Sequence, residues 1–81
     1  MNKEEIRIKL ISIYEEVLET QIEDKGINDG LIELFHIDSL IALKIIVRIE
    51  QEFGIIIEDD NLAIEMIDSI DKAVDYIISN Q

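Results

Sequence analysis

Apolar residues recur at helical spacing in three long stretches of the chain. In the first, Ile6, Leu10, Ile13, Tyr14, Val17 and Leu18 share one side, while Lys3, Glu4, Arg7, Glu15, Glu16 and Glu19 fall largely on the other. This spacing predicts a helix from about Asn2 to about Thr20, with Asn2 as its N-cap. Ile8 and Ile11 lie off the main stripe, so the apolar face is wide. The second stretch predicts a helix from Ser39 to Phe53, capped by Asp38 and stopped at Gly54. Leu40, Leu43, Ile46, Val47 and Phe53 form its expected core stripe, which Ile41, Ile45 and Ile49 widen well beyond one face. The third predicts a last helix from about Ile70 to Ser79, capped by Asp68 or Ser69. There Ile70, Val74 and Ile77 form the stripe, and Ala73 allows a close approach.

Between the first two helices lies a long connection, Gln21 to Ile37. Gly26, Asn28, Asp29 and Gly30 are turn signals, yet Ile22, Ile27, Leu31, Ile32, Leu34 and Phe35 are unusually apolar for a loop. The segment is expected to pack across the helices, with a short helical turn near Leu31 to Leu34. Long connections of this kind tend to be functional. Ile55-Ile56-Ile57 has strand character, but no second run exists to pair with it, and a lone strand is not stable. It reads as an extended apolar linker. Asp59 or Asp60 then caps a short helix around Asn61 to Met66, with Leu62 and Met66 inward. The expected fold is all-α: a small bundle of three main helices and one short one, with a long first loop, in a single domain over residues 1–81.

Composition narrows the function classes. Hydrophobic residues are 48% of the chain, enough for a core, so this is not a disordered acidic tail. With no Cys there is no disulfide framework and no thiolate chemistry. The 19 acidic and 7 basic residues give a formal net charge of −12. That field repels nucleic acid and anionic membrane surfaces and favours basic protein partners, although acidic charge also simply keeps an apolar-rich protein in solution. MNKEEIRIKL lacks the apolar core of a signal peptide, and no stretch is long and apolar enough for a membrane span. A cytoplasmic, monomeric protein is expected. Beginning at Met1 and ending soon after the last helical pattern, it reads as free-standing.

Candidates for catalysis are thin. His36, the single histidine, precedes Ser39 by three residues, but a Ser–His nucleophile also needs an orienting group, an oxyanion site and a pocket. The plainer reading of His36 is an exposed loop residue. Glu58, Asp59 and Asp60 lack the alternating spacing of a calcium loop and read as helix-start charge. No metal site and no enzyme are expected. Asp38-Ser39-Leu40 is more informative. A serine at a helix N-terminus is rigidly presented and exposed on one side, where free N–H groups favour a phosphate. The place suits a phosphodiester through Ser39 Oγ, with activation supplied by a second enzyme. The competing reading is an ordinary capping serine in a helical interaction module.

LIELFHIDSLIALKIIVRIEQEFGIIIEDD resembles the core of the acyl carrier protein superfamily. That pattern has a leucine-rich approach, Asp-Ser-Leu, an amphipathic helix ending here in Glu50-Gln51-Glu52-Phe53, and an extended turn. The stretch from Ile70 to Ile77 is similar to the family's last helix. The resemblance covers essentially the whole chain. It implies that Ser39 receives 4′-phosphopantetheine from coenzyme A through a phosphopantetheinyl transferase, and that the arm holds an acyl group as a thioester for acyl-loading and acyl-processing enzymes. Asp38 matches the acidic residue that helps position the transferase's metal ion, and Leu40 the apolar residue that follows. There are two departures. His36 stands where the family usually has Gly, and Ile41, Lys44 and Val47 stand where fatty-acid carriers have acidic residues, with Glu50 kept. The resemblance therefore leans towards carriers of polyketide, nonribosomal peptide or other specialised pathways. Ile41, Lys44, Val47 and Arg48 would face partner enzymes, together with Glu50 and Glu65. Val47 is equally open to core packing.

Overall fold

The computed structural model describes all 81 residues, and its regular elements are all helices. In chain order they are α1 (Lys3–Leu18), α2 (Leu31–Leu34), α3 (Ser39–Phe53), α4 (Asp60–Asp68) and α5 (Ile70–Ser79). Each main helix starts where the sequence supplies a cap. Asn2 accepts from the Glu5 N–H while the Glu5 carboxylate accepts from the Asn2 N–H, a reciprocal capping box on α1. Asp59 caps α4, and Ser69 caps α5 through the Lys72 N–H. Gly54 ends α3 at φ +65°, a left-handed conformation that glycine adopts without a Cβ penalty. Glu19 ends α1 at φ +55° without that freedom.

α1 lies between α3 and α5, and α4 closes the bundle against α5, α3 and α2. Ion pairs give the senses. Lys9–Glu52 and Glu16–Arg48 run in opposite numerical order, as do Lys3–Asp75 and Arg7–Asp71, so α1 is antiparallel to both neighbours. Sixteen buried apolar residues form one cluster. At its centre are Ile6, Leu10 and Tyr14 of α1, Ile45 and Ile49 of α3, Met66 of α4, and Ile70 and Ala73 of α5, all fully buried. The Tyr14 hydroxyl donates to the Ile67 carbonyl in the last turn of α4.

The core stripe expected on α3 has the wrong phase. Ile45 and Ile49 are fully buried, whereas Leu40 and Leu43 are about three-fifths exposed, at 62% and 60%. Val47 is also outward, and Ile41, Ile46 and Phe53 are half-buried against the core. The cause is composition. α3 is apolar around most of its circumference, so periodicity alone does not choose a face; packing against α1 and α4 does. On α1, off-stripe Ile11 is buried and Ile8 stays outside.

The long first connection packs across the bundle as its apolar residues demand. Arg7 threads it, donating to the Asn28 side chain and to the carbonyls of Lys25 and Ile27. The Asn28 carbonyl accepts from the Ile70 N–H at 2.7 Å. Glu15 binds Lys25 and the Ile22 N–H, which together hold its carboxyl below the usual carboxylate range. Residues 55–57 lie in no helix or strand; the Glu50 carboxylate takes the Ile57 N–H, and Tyr76 donates to the Ile56 carbonyl. α4 runs two residues beyond its expected end because its last turn is occupied. Ile67 is buried there, and Asp68 accepts from the Ile32 N–H of α2.

Candidate functional site

Ser39 owes its position to the segment before it, from Leu31 to Asp38. Fully buried Leu31 and the Asp68 bond to Ile32 pin α2 onto α4. His36 then turns the chain at φ +53°, with its N–H on the Glu33 carbonyl at 3.3 Å. Ile37 goes back into the core, its N–H on the Ile32 carbonyl at 2.9 Å. Asp38 follows as N-cap of α3, accepting from the Ile41 N–H at 2.9 Å. Ser39 is thus the first helical residue, exposed, beside exposed Asp38 and Leu40.

The Ser39 hydroxyl makes no hydrogen bond within the chain, and none joins it to His36. The N–H groups of Ser39 and Leu40 are likewise without an intrahelical partner, as the first turn of any helix requires. Asp38 spends one carboxylate oxygen on its cap. The junction therefore offers a free nucleophilic oxygen, two free donors and a carboxylate, but no base aimed at the hydroxyl. The chain also holds no group of three or more His, Asp or Glu side chains placed to bind a metal ion.

Beside Ser39 an open groove of about 720 Å³ runs between α3 and α4. Its walls are apolar, with Ile32, Ile37, Ala42, Ile46, Ala63 and Ile67 among them, and Asp38, Glu50 and Asp60 lie on it.

The other positions singled out in the sequence are dispersed. Lys44 is exposed, and no carboxylate lies within 4.0 Å of it. Arg48 is half-buried and paired with Glu16 of α1, which holds the Glu16 carboxyl low and raises the guanidinium. Ile41 is half-buried against the core, and Val47 is 38% exposed. Glu50 is half-buried and engaged with Ile57, while exposed Glu65 lies 3.9 Å from Lys72. Spacing alone puts Leu43 inward, yet it stands on the surface with Lys44 and Val47. The signal that places it there is its position nearly opposite Ile45 and Ile49, at about 100° per residue.

No helix is long and apolar enough to cross a membrane. Neither the curated proteins nor the solved structures gave a significant match to the chain. A family model described as the phosphopantetheine attachment site matches residues 9–77, which takes in all five helices apart from the ends of the first and last. The chain therefore belongs to the phosphopantetheine-binding family, whose domains hold 4′-phosphopantetheine covalently and carry acyl groups for other enzymes without being catalysts themselves.

Proposed function

We propose that the arm is attached at Ser39 Oγ, and that the chain is an acyl carrier of polyketide, nonribosomal-peptide or other specialised acyl metabolism. The observation that carries the attachment site is the unengaged Ser39 hydroxyl, exposed at the first position of α3 with free N–H groups beside it. In the transfer, Ser39 Oγ attacks the phosphorus of coenzyme A that bears the pantetheine. The new phosphodiester forms as the bond to adenosine 3′,5′-bisphosphate breaks, and the hydroxyl proton passes to the transferase. The absence of a base at Ser39 in this chain fits a nucleophile activated by that second enzyme.

When bound, the group supplies a flexible arm ending in a thiol, the site of thioester chemistry. The chain's own contribution is presentation. α2, Ile37 and the Asp38 cap hold the serine on a rigid helix end, and the groove beside it lines the path a cargo would take. Asp38 is assigned to the transferase encounter, with its carboxylate reaching the metal ion that enzyme brings. Exposed α3 carries Leu40, Leu43, Lys44 and Val47, with no carboxylate between Ser39 and Ile49, and this supports a pathway other than ordinary fatty-acid synthesis. The cytoplasmic, monomeric setting and a single domain over residues 1–81 belong to the same proposal.

The test is intact mass after incubation with coenzyme A, magnesium and a broad-specificity phosphopantetheinyl transferase. The wild type is expected to gain one phosphopantetheine, and Ser39→Ala none. Folded wild type left unmodified by several transferases would overturn the attachment site and favour an unmodified interaction module that uses the exposed apolar residues of α3.

A further inference from the structure

Asp68 is the last residue of α4, the unfavourable end of a helix for a negative charge. No Lys or Arg lies within 4.0 Å of its carboxylate. Nor does it cap α5, because Ser69 takes the Lys72 N–H. Its carboxylate accepts instead from the Ile32 N–H at 3.0 Å, across 36 positions of sequence. That bond does for α2 what its own start cannot. The first turn of a helix leaves N–H groups unpaired, and the residue before α2 is Gly30, which has no side chain to accept from them. Asp68 fills the place of the missing cap from another helix.

The Ile32 peptide passes the restraint on. Its N–H is held by Asp68, and its carbonyl accepts from the Ile37 N–H at 2.9 Å. One peptide thus joins α4 to the residue two places before Ser39. Ile37 is buried, Asp38 caps α3, and Ser39 follows. The platform beneath Asp68 is itself fixed. The carbonyl of buried Ile67 takes the Tyr14 hydroxyl, and the N–H of buried Ser69 closes on the Glu65 carbonyl. The Ile70 N–H binds the Asn28 carbonyl, and Arg7 holds the Asn28 side chain. The junction of α4 and α5 therefore grips the first connection at Asn28 and at Ile32, on either side of Gly30. Only the second grip continues to the serine.

We propose that Asp68 is a positioning residue for transfer of the arm to Ser39, holding the start of α3 in the orientation the transferase accepts by way of the Ile32 peptide. This rests on attachment at Ser39. Asp68 acts through backbone alone and has no bond to the serine hydroxyl. Without its bond the segment from α2 to Ser39 is released, and only the fraction of chains in the accepted orientation binds. The apparent affinity then falls by that fraction, while the step after binding is unchanged. The loss therefore belongs to KM for the carrier and not to kcat.

The measurement is arm transfer by a broad-specificity phosphopantetheinyl transferase with coenzyme A and magnesium, the carrier concentration being varied. Wild type is compared with Asp68→Leu, which keeps the branched shape and loses the acceptor, and with Asp68→Asn, whose amide oxygen still accepts. Asn2→Ala removes the α1 cap, which has no bond to this segment, and serves as the control for lowered stability. Asp68→Leu is expected to raise KM about fivefold at unchanged kcat, the size set by one hydrogen bond of ordinary strength. Its Ile32 and Ile37 amides should exchange faster with solvent. Asp68→Asn should restore both KM and protection, and Asn2→Ala should keep the wild-type KM despite a lower melting temperature. Asp68→Ala gives the same comparison if Asp68→Leu melts below the assay temperature. Wild-type KM in the folded acceptor-less variant, an Asn variant as impaired as Leu, or an equal rise in Asn2→Ala overturns the positioning role and leaves attachment at Ser39 intact. Folded wild type that is never loaded overturns the attachment, and this proposal with it.

Discussion

Tyr14 in the middle of α1 reaches across the core and donates its hydroxyl to the carbonyl oxygen of Ile67, in the last turn of α4. Both residues are buried, so the bond ties the helix that lines one wall of the groove to the helix at the centre of the bundle. Tyr14→Phe keeps the ring and removes the donor. The stranded carbonyl then costs about 1–3 kcal/mol. Urea unfolding should show a lower midpoint at unchanged slope, because the surface exposed on unfolding is the same.

The same hydroxyl sets an alkaline limit. Burial, with the Asp68 carboxylate adding to it, pushes the Tyr14 hydroxyl well above the ordinary tyrosine value of 10.0. A group with a raised folded pKa contributes fully below its unfolded value and loses that contribution as pH rises past it. The unfolded chain releases the tyrosine proton near pH 10 while the folded chain retains it, so stability falls by up to about 1.4 kcal/mol per pH unit from there upwards. Denaturant midpoints at pH 9, 10, 11 and 12 should fall more steeply for wild type than for Tyr14→Phe. Parallel curves would show that another group sets the limit.

On α3 the two faces should separate cleanly. Ile45→Ala empties a fully buried site and should cost about 2–5 kcal/mol, whereas Leu43→Ala, at 60% exposure, should change the midpoint by no more than about 0.5 kcal/mol. The opposite order would restore the face that spacing alone suggested. The limits of α3 were legible because Asp38 and Gly54 punctuate it, and the last helix was legible because its stripe is narrow. The phase of α3 was not. A helix apolar on nearly every side carries no periodic signal for which side is inward, and only its neighbours decide. Ile41 shows the consequence. It is half-buried against the core, so Ile41→Asp would disturb folding as well as docking, and Leu43→Asp is the cleaner probe of the surface.

His36 holds φ +53°, a left-handed conformation that costs a residue with a Cβ about 1–2 kcal/mol. Its side chain is exposed and makes no hydrogen bond within the chain, so little is lost on removing it. His36→Gly should raise stability by up to about 1 kcal/mol, the gain being reduced by the greater freedom of glycine in the unfolded chain. A thermal melt checks it, and loading of Ser39 should persist in the variant. The family resemblance implies glycine at this place, and the sequence itself has His36. The left-handed angle was not legible from the residues, because a single backbone angle between α2 and α3 leaves no mark on composition or spacing.

Asp38 is given two tasks, and two substitutions separate them. As N-cap it accepts from the Ile41 N–H, and as a carboxylate beside Ser39 it is assigned to the transferase's metal ion. Asparagine caps as well as aspartate but carries no charge, so Asp38→Asn should leave the melting temperature nearly unchanged. Asp38→Ala should cost about 1 kcal/mol through the lost cap. If the carboxylate matters to loading, both variants should be modified at least tenfold more slowly than wild type, with Asn as slow as Ala despite its intact fold. Loading of Asp38→Asn at the wild-type rate, with Asp38→Ala slowed only as far as its stability falls, would reduce Asp38 to a cap and leave the approach to Ser39 to the helix end alone.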